Sequence, residues 1–148
     1  MGALGRLAER PQARVIDQGS RMNFPRTHYL SSTPGAVNDA DVIIGMELSD
    51  FWATVNSYTD NAENGGIGTN ASRVKSNTKL ISISSVDLIT KSNYQDFQRF
   101  QVIDVKMAAD AEATLPAPNE AVKASLATDA KTPIAHCGAA ARKAEAAK

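Results

Sequence analysis

"DVIIGMELSDFW", Asp41 to Trp52, decides how this chain is read. Its Val-Ile-Ile core is β-branched, stiff at χ1 and suited to a pleated strand. The run is mostly apolar rather than cleanly alternating, the pattern of a strand covered on both faces. After Gly45 the composition turns polar, and Asp50 stands in front of an aromatic pair. A buried strand that ends abruptly on Gly45-Met46-Glu47 is the form expected at the carboxyl edge of a parallel sheet.

Three further runs have the same character: "ARVID" (Ala13 to Asp17), "KLISIS" (Lys79 to Ser84) and "QVIDVKM" (Gln101 to Met107). Helix-like or irregular segments lie around them, "GALGRLAER" before the first and "NEAVKASL" after the last. Strands separated by crossovers imply a parallel sheet with helices on both faces. The expected fold class is therefore α/β, a Rossmann-like open parallel sheet with flanking helices. The chain opens on a helix with no earlier strand from which that helix returns. The expectation is that the first strand of the sheet is missing, leaving "ARVID" exposed and the isolated chain prone to associate.

Residues 57–78, "SYTDNAENGGIGTNASRVKSNT", read as a long polar loop. Within it "NGGIGTN", Asn64 to Asn70, imitates a phosphate loop. It neither follows a strand nor opens a helix, and it lacks the lysine, so it reads as loop. "KSNYQDFQRF", Lys91 to Phe100, has a capping box from Ser92 to Gln95. Tyr94, Phe97 and Phe100 recur every third residue. A two-turn connection that pins these rings onto the sheet is expected. Pro116 and Pro118 place the start of the last helix at about Pro118. The tail from 128 to 148 is Ala-rich and reads as a frayed helix or linker.

The 148 residues suffice for one core, and the formal net charge is zero. A nucleic-acid groove or an anionic membrane surface needs a basic excess, so neither is expected as partner. No apolar run spans a membrane, and "MGALGRLAERPQARV" is not a signal peptide. With a single cysteine, Cys137, the expected compartment is the cytoplasm. His28 and His136 are far apart, and His136-Cys137 has no second pair to complete a metal site. No partner for a Cys-His nucleophile stands out.

In open parallel sheets ligands sit in the crevice at the carboxyl ends of the strands. Here those ends are "DQGSRMNFP", "GMELSDFW" and "SSVD". The cofactor-binding candidates are Gly19, Arg21, Gly45, Glu47, Ser84 and Ser85. The glycines permit close backbone approach, and Arg21 suits a phosphate. The alternative is that Met22, Phe24, Phe51 and Trp52 simply plug the sheet edge.

The order of "DQGSRMNFPRTHYL", "DADVIIGMELSDFW" and "KLISISSVDLITKSNYQDFQRFQVIDVKMAADAEATLPA" resembles the central domain of thiamine-diphosphate-dependent enzymes, acetolactate-synthase-like members above all. The likeness runs from about Leu4 to Leu126. It implies that residues 1–127 are such a domain, truncated at its front, with 128–148 as a tail. In that family thiamine diphosphate and magnesium are held by a pyrimidine-binding domain and by a diphosphate-binding domain with a "GDG…N" element, and the intact enzymes are homo-oligomers. Neither domain is represented here, no "GDG" occurs, and no catalytic residue is carried over. FAD sits in the central domain of acetolactate synthases, which typically read Gly-Ala-Arg-Phe-Asp-Asp where this chain reads Gly45-Met46-Glu47-Leu48-Ser49-Asp50. They tend to read Ile-Asp-Ile-Asp where this chain has Ile81-Ser82-Ile83-Ser84. The resemblance thus implies a structural domain of an enzyme acting on 2-keto acids by decarboxylation or carboligation, inactive alone because the catalytic domains are absent. The departures, Glu47 in place of the arginine and Ser82 and Ser84 in place of the carboxylates, put FAD in doubt and favour an empty cleft or a non-flavin nucleotide. A stand-alone nucleotide-binding α/β module is the other reading.

Overall fold

A computed structural model describes residues 2–18, 24–59, 69–85 and 99–128. They divide into two compact units, one from residues 1–33 with 112–148, the other from 34 to 111.

In the second unit a 3₁₀ segment, Pro34–Asp39, leads into β1, Val42–Met46. The chain continues through α2 (Phe51–Val55), β2 (Asn56–Thr59), β3 (Thr69–Ser72), β4 (Lys79–Ile83) and β5 (Val105–Met107). β1, β4 and β5 form a parallel sheet in the order β1-β4-β5. Ile44 pairs with Ile81, and Ile81 with Val105. The class is α/β with a three-stranded parallel sheet and flanking helices, compatible with a Rossmann-like fold.

Period-two alternation sorts the strand residues. Ile43, Gly45, Leu80 and Ser82 share one face, and Val42, Ile44, Ile81 and Val105 the other. The first face carries the core of this unit: Phe51, Val55 and Leu80, with Ile43, Leu48, Val74 and Ile103 packed against them. α2 begins where it does because Asp50 caps it, its Oδ1 accepting the Ala53 N–H at 2.8 Å. On the other face Val42 and Ile44 are exposed. Cover on both faces, expected from the apolar runs, fails at Val42 and Ile44, while in β4 Leu80 on one face and Ile83 on the other are both buried.

The expected polar loop contains an antiparallel ribbon. β2 pairs with β3, Asn56 opposite Ser72 and Thr59 opposite Thr69. Ser, Asn and Thr on both faces gave no alternation to read, yet the ladder forms because the ends are tied. Arg73 N–H donates to Val55 O at 2.8 Å, and Asn56 Nδ2 donates to Gln101 Oε1 at 2.9 Å. "QVIDVKM" yields a strand only from Val105. Ahead of it, Asp104 turns its carboxylate onto β4, accepting the Leu80 N–H at 2.9 Å and pairing with Lys79 at 2.8 Å. A side chain thus takes one rung of the ladder. The Lys79 and Leu80 hydrogen bonds hold the Asp104 carboxyl below the usual aspartate range.

In the first unit α1 covers Ala3–Glu9, made of good helix formers apart from buried Gly5 and stopped by Pro11 after its cap. α4 covers Pro116–Thr128, preceded by the short α3, Ala111–Thr114, whose first residue, Ala111, belongs to the second unit. The helix therefore starts at Pro116 and not at Pro118. The first turn has no intrahelical use for its N–H groups, so a second proline at the third position forfeits nothing. Ala8, Val15 and Leu30 form the core, with Phe24 and Tyr29 against them. "ARVID" is not a strand. Val15 makes a single parallel bridge to Ser31, donating to Leu30 O and accepting from Ser32 N, each at 2.8 Å.

Phe100 is 65% exposed, so its ring is not pinned to the sheet as expected. Lys91 to Gln98, Met22 and the tail from 129 onward, with His136 and Cys137, lie outside the described residues. Among the described residues no helix is long and apolar enough to cross a membrane.

Candidate functional site

β1 ends on Gly45 and Met46 because the next residue turns out of the ladder. Glu47 has φ +49°, in the left-handed region that a side chain enters only at a cost. Its N–H still donates to Ile83 O of β4 at 2.9 Å. The turn needs the space that Gly45 leaves. A Cβ at Gly45 would lie 2.5 Å from Phe51 Cε2 and 2.6 Å from Leu48 Cδ1.

The turn carries the Glu47 carboxylate back over the ends of β1 and β4. There it accepts the Ser85 hydroxyl at 2.9 Å, the Ser85 N–H at 3.1 Å and the Ser84 hydroxyl at 3.3 Å. The Ala111 N–H, beyond β5, donates to it at 3.1 Å. Ser84 is itself buried, its N–H donating to Met107 O at 3.1 Å. Partial burial pushes the Glu47 carboxyl up. The Ser85 hydroxyl, the Ala111 N–H, the Ser85 N–H and the Ser84 hydroxyl together outweigh that and hold it below the usual glutamate range.

The structure thus brings Gly45, Glu47, Ser84 and Ser85 to one place. Gly19 and Arg21 lie outside the described residues. Ala111 was not a sequence candidate, because an alanine that contributes only its backbone N–H leaves no side-chain signal. Phe51 and Trp52 are buried in the second unit, whereas Phe24, grouped with them as a sheet-edge plug, packs against the core of the first unit. Trp52 also has a charge above it. The Arg99 guanidinium lies 5.1 Å from the Trp52 ring centre and 5.9 Å from that of Tyr58.

His28 belongs to the packing of the first unit. Its Nδ1 accepts the Leu30 N–H at 3.2 Å, so the neutral ring carries its proton on Nε2, which faces Glu9 Oε1 at 3.2 Å. The ring stacks on Tyr29, centroids 4.7 Å apart, and meets Phe24 edge-on. Both nitrogens are engaged in holding this turn. Among the described residues no three His, Cys, Asp or Glu side chains gather as a metal-holding group.

Comparison with protein-family models, with curated proteins and with solved structures found no match to this chain.

Proposed function

We propose that the chain is a structural central domain of a thiamine-diphosphate-dependent enzyme acting on 2-keto acids, of the acetolactate-synthase-like kind. Its pyrimidine- and diphosphate-binding partner domains would supply the catalytic centre. One observation supports the structural role over cofactor binding: the Glu47 carboxylate takes the donors of Ser84, Ser85 and Ala111. Those strand-end groups are where an open parallel sheet would meet the phosphates of a nucleotide. A diphosphate arriving there faces a carboxylate of like charge and donors already in use. The described residues therefore do not fit FAD at this position. What Glu47 does instead is join the ends of the strands, which suits a domain that holds others in place.

The test is complementation. The chain is co-expressed with a pyruvate-acting thiamine-diphosphate enzyme deleted for its central domain, and 2-keto acid turnover is measured. Recovery of turnover only when both parts are present supports the proposal. Turnover by the purified chain alone, or flavin retained through gel filtration, defeats it.

A further inference from the structure

Beyond the ends of β4 and β5 four neutral donors converge on one place, and the group that fills it is an anion. Glu47 Oε1 accepts the Ala111 N–H at 3.1 Å and the Ser85 N–H at 3.2 Å. Oε2 accepts the Ser85 hydroxyl at 2.9 Å, the same Ser85 N–H at 3.1 Å and the Ser84 hydroxyl at 3.3 Å. Ser84 is 2% exposed, so packing fixes its hydroxyl in place. Ser85 is exposed, so solvent reaches the group from that side. All of these residues belong to the second unit.

Two of the donors are backbone N–H groups, set by the course of the chain and not by any removable side chain. Convergent N–H and hydroxyl groups at strand ends make a concavity suited to an oxyanion. A cation there would meet only donors, and an apolar group would leave them unpaired. The arrangement therefore selects an anion with at least two acceptor oxygens. In this chain that anion is tethered. Glu47 follows β1 directly and turns back through φ +49° to reach the donors. Tethering gives the carboxylate an effective concentration that a dissolved ion at millimolar levels does not match.

We propose that Ser84, Ser85 and Ala111 form an oxyanion site whose resident occupant is the Glu47 carboxylate, and that Glu47 is the residue that closes this site to phosphate. Phosphate offers the same kind of acceptor oxygens. With the Glu47 side chain removed, it takes over the four donors. Its binding rests on hydrogen bonds to neutral groups, so the Kd is on the order of 1 mM. The enzyme reading above is not needed for this, since phosphate binding by a variant and complementation by the parent chain succeed or fail separately.

Calorimetric titration of the full chain with inorganic phosphate, with ionic strength held constant by sodium chloride, tests it. Glu47→Gly, which suits the φ of +49°, should bind one phosphate, and the parent should bind it at least about tenfold more weakly. The amide signals of Ser85 and Ala111 should move in NMR spectra as phosphate is added to the variant. Adding Ser85→Ala to Glu47→Gly should weaken binding about tenfold. If the glycine variant does not fold, Glu47→Ala is titrated in its place. If neither folds, phosphate should recover folding where sodium chloride at equal ionic strength does not. A folded variant that binds no phosphate, or binds it only as the parent does, overturns the proposal. So does binding that survives Ser85→Ala undiminished or leaves the Ser85 and Ala111 signals in place, and so do unfolded variants that phosphate does not recover.

Discussion

Two polar side chains organise the two units, and they do so under opposite conditions. Glu47 works at the half-open end of a sheet, a charged group with four donors around it. Asn119 works inside the helical unit at 5% exposure. Its Nδ2 donates to Ala3 O of α1 and to Leu115 O, each at 3.0 Å, and its carbonyl O accepts from Arg10 at 2.7 Å. The side-chain Oδ1 is buried without a partner among the described residues. Charge near water can be over-satisfied, because solvent stands in for any donor that is lost. A buried amide depends on its few partners, and removing them leaves carbonyls that water reaches poorly. Failure at the two hubs should therefore differ in size and in its response to pH.

The largest effects should come from the apolar surroundings of the hubs. Leu30→Ala, at 0% exposure in the helical unit, should cost about 2–5 kcal/mol in denaturant unfolding. Gly45→Ala, beneath the Glu47 turn, should cost about 1–3 kcal/mol, since the new methyl meets Phe51 and Leu48. A neutral Gly45→Ala would show that Phe51 moves aside freely and that the turn does not depend on that space.

Between the hubs themselves, Asn119→Ala should cost about 1–3 kcal/mol and Glu47→Ala about 1 kcal/mol. Equal losses would erase the distinction drawn from burial. Glu47→Gly sharpens it further. Glycine suits the φ of +49°, so it should be more stable than Glu47→Ala by about 1 kcal/mol, although both lack the carboxylate. If the alanine variant is the more stable, the left-handed turn is not what Glu47 is held against.

The smallest effect is the dependence on pH. The folded-state pKa of Glu47 is lowered, so its stabilisation is complete above the unfolded glutamate value of about 4.3 and is lost as pH falls through the folded value. Unfolding followed below about pH 4.3 should show a shallower loss in Glu47→Gln than in the parent. Asp104 slopes in the same direction and remains in both, so the difference between the two proteins is the quantity to read. Asn119→Ala should leave that slope unchanged.

Much of the sheet was legible. Val42 to Met46 and Lys79 to Ile83 are short β-branched runs, and such runs state a strand before any partner is known. Gly45, Glu47, Ser84 and Ser85 were legible as a strand-end group for the same reason, since a strand's last residues can be read from where its apolar pattern stops. "ARVID" carried the same signal and forms one bridge, because a strand is completed by its neighbour, and Val15 finds only Ser31. The ribbon of β2 and β3 carried no signal, since Ser, Asn and Thr are the residues of loops and of exposed strands alike.

By itself, the sequence determined the local matters: where β-branched side chains stiffen the backbone, where Pro11 stops α1, and where Asp50 starts α2. Those outcomes depend on residues within a few positions of one another. Tertiary structure alone decided that the Glu47 carboxylate closes on Ser84, Ser85 and Ala111 and that Asp104 takes a ladder position. The hydrogen bonds among these join groups 24 to 64 positions apart in the chain. No local pattern encodes either, because a hydrogen bond between distant segments exists only once the sheet has set their ends side by side.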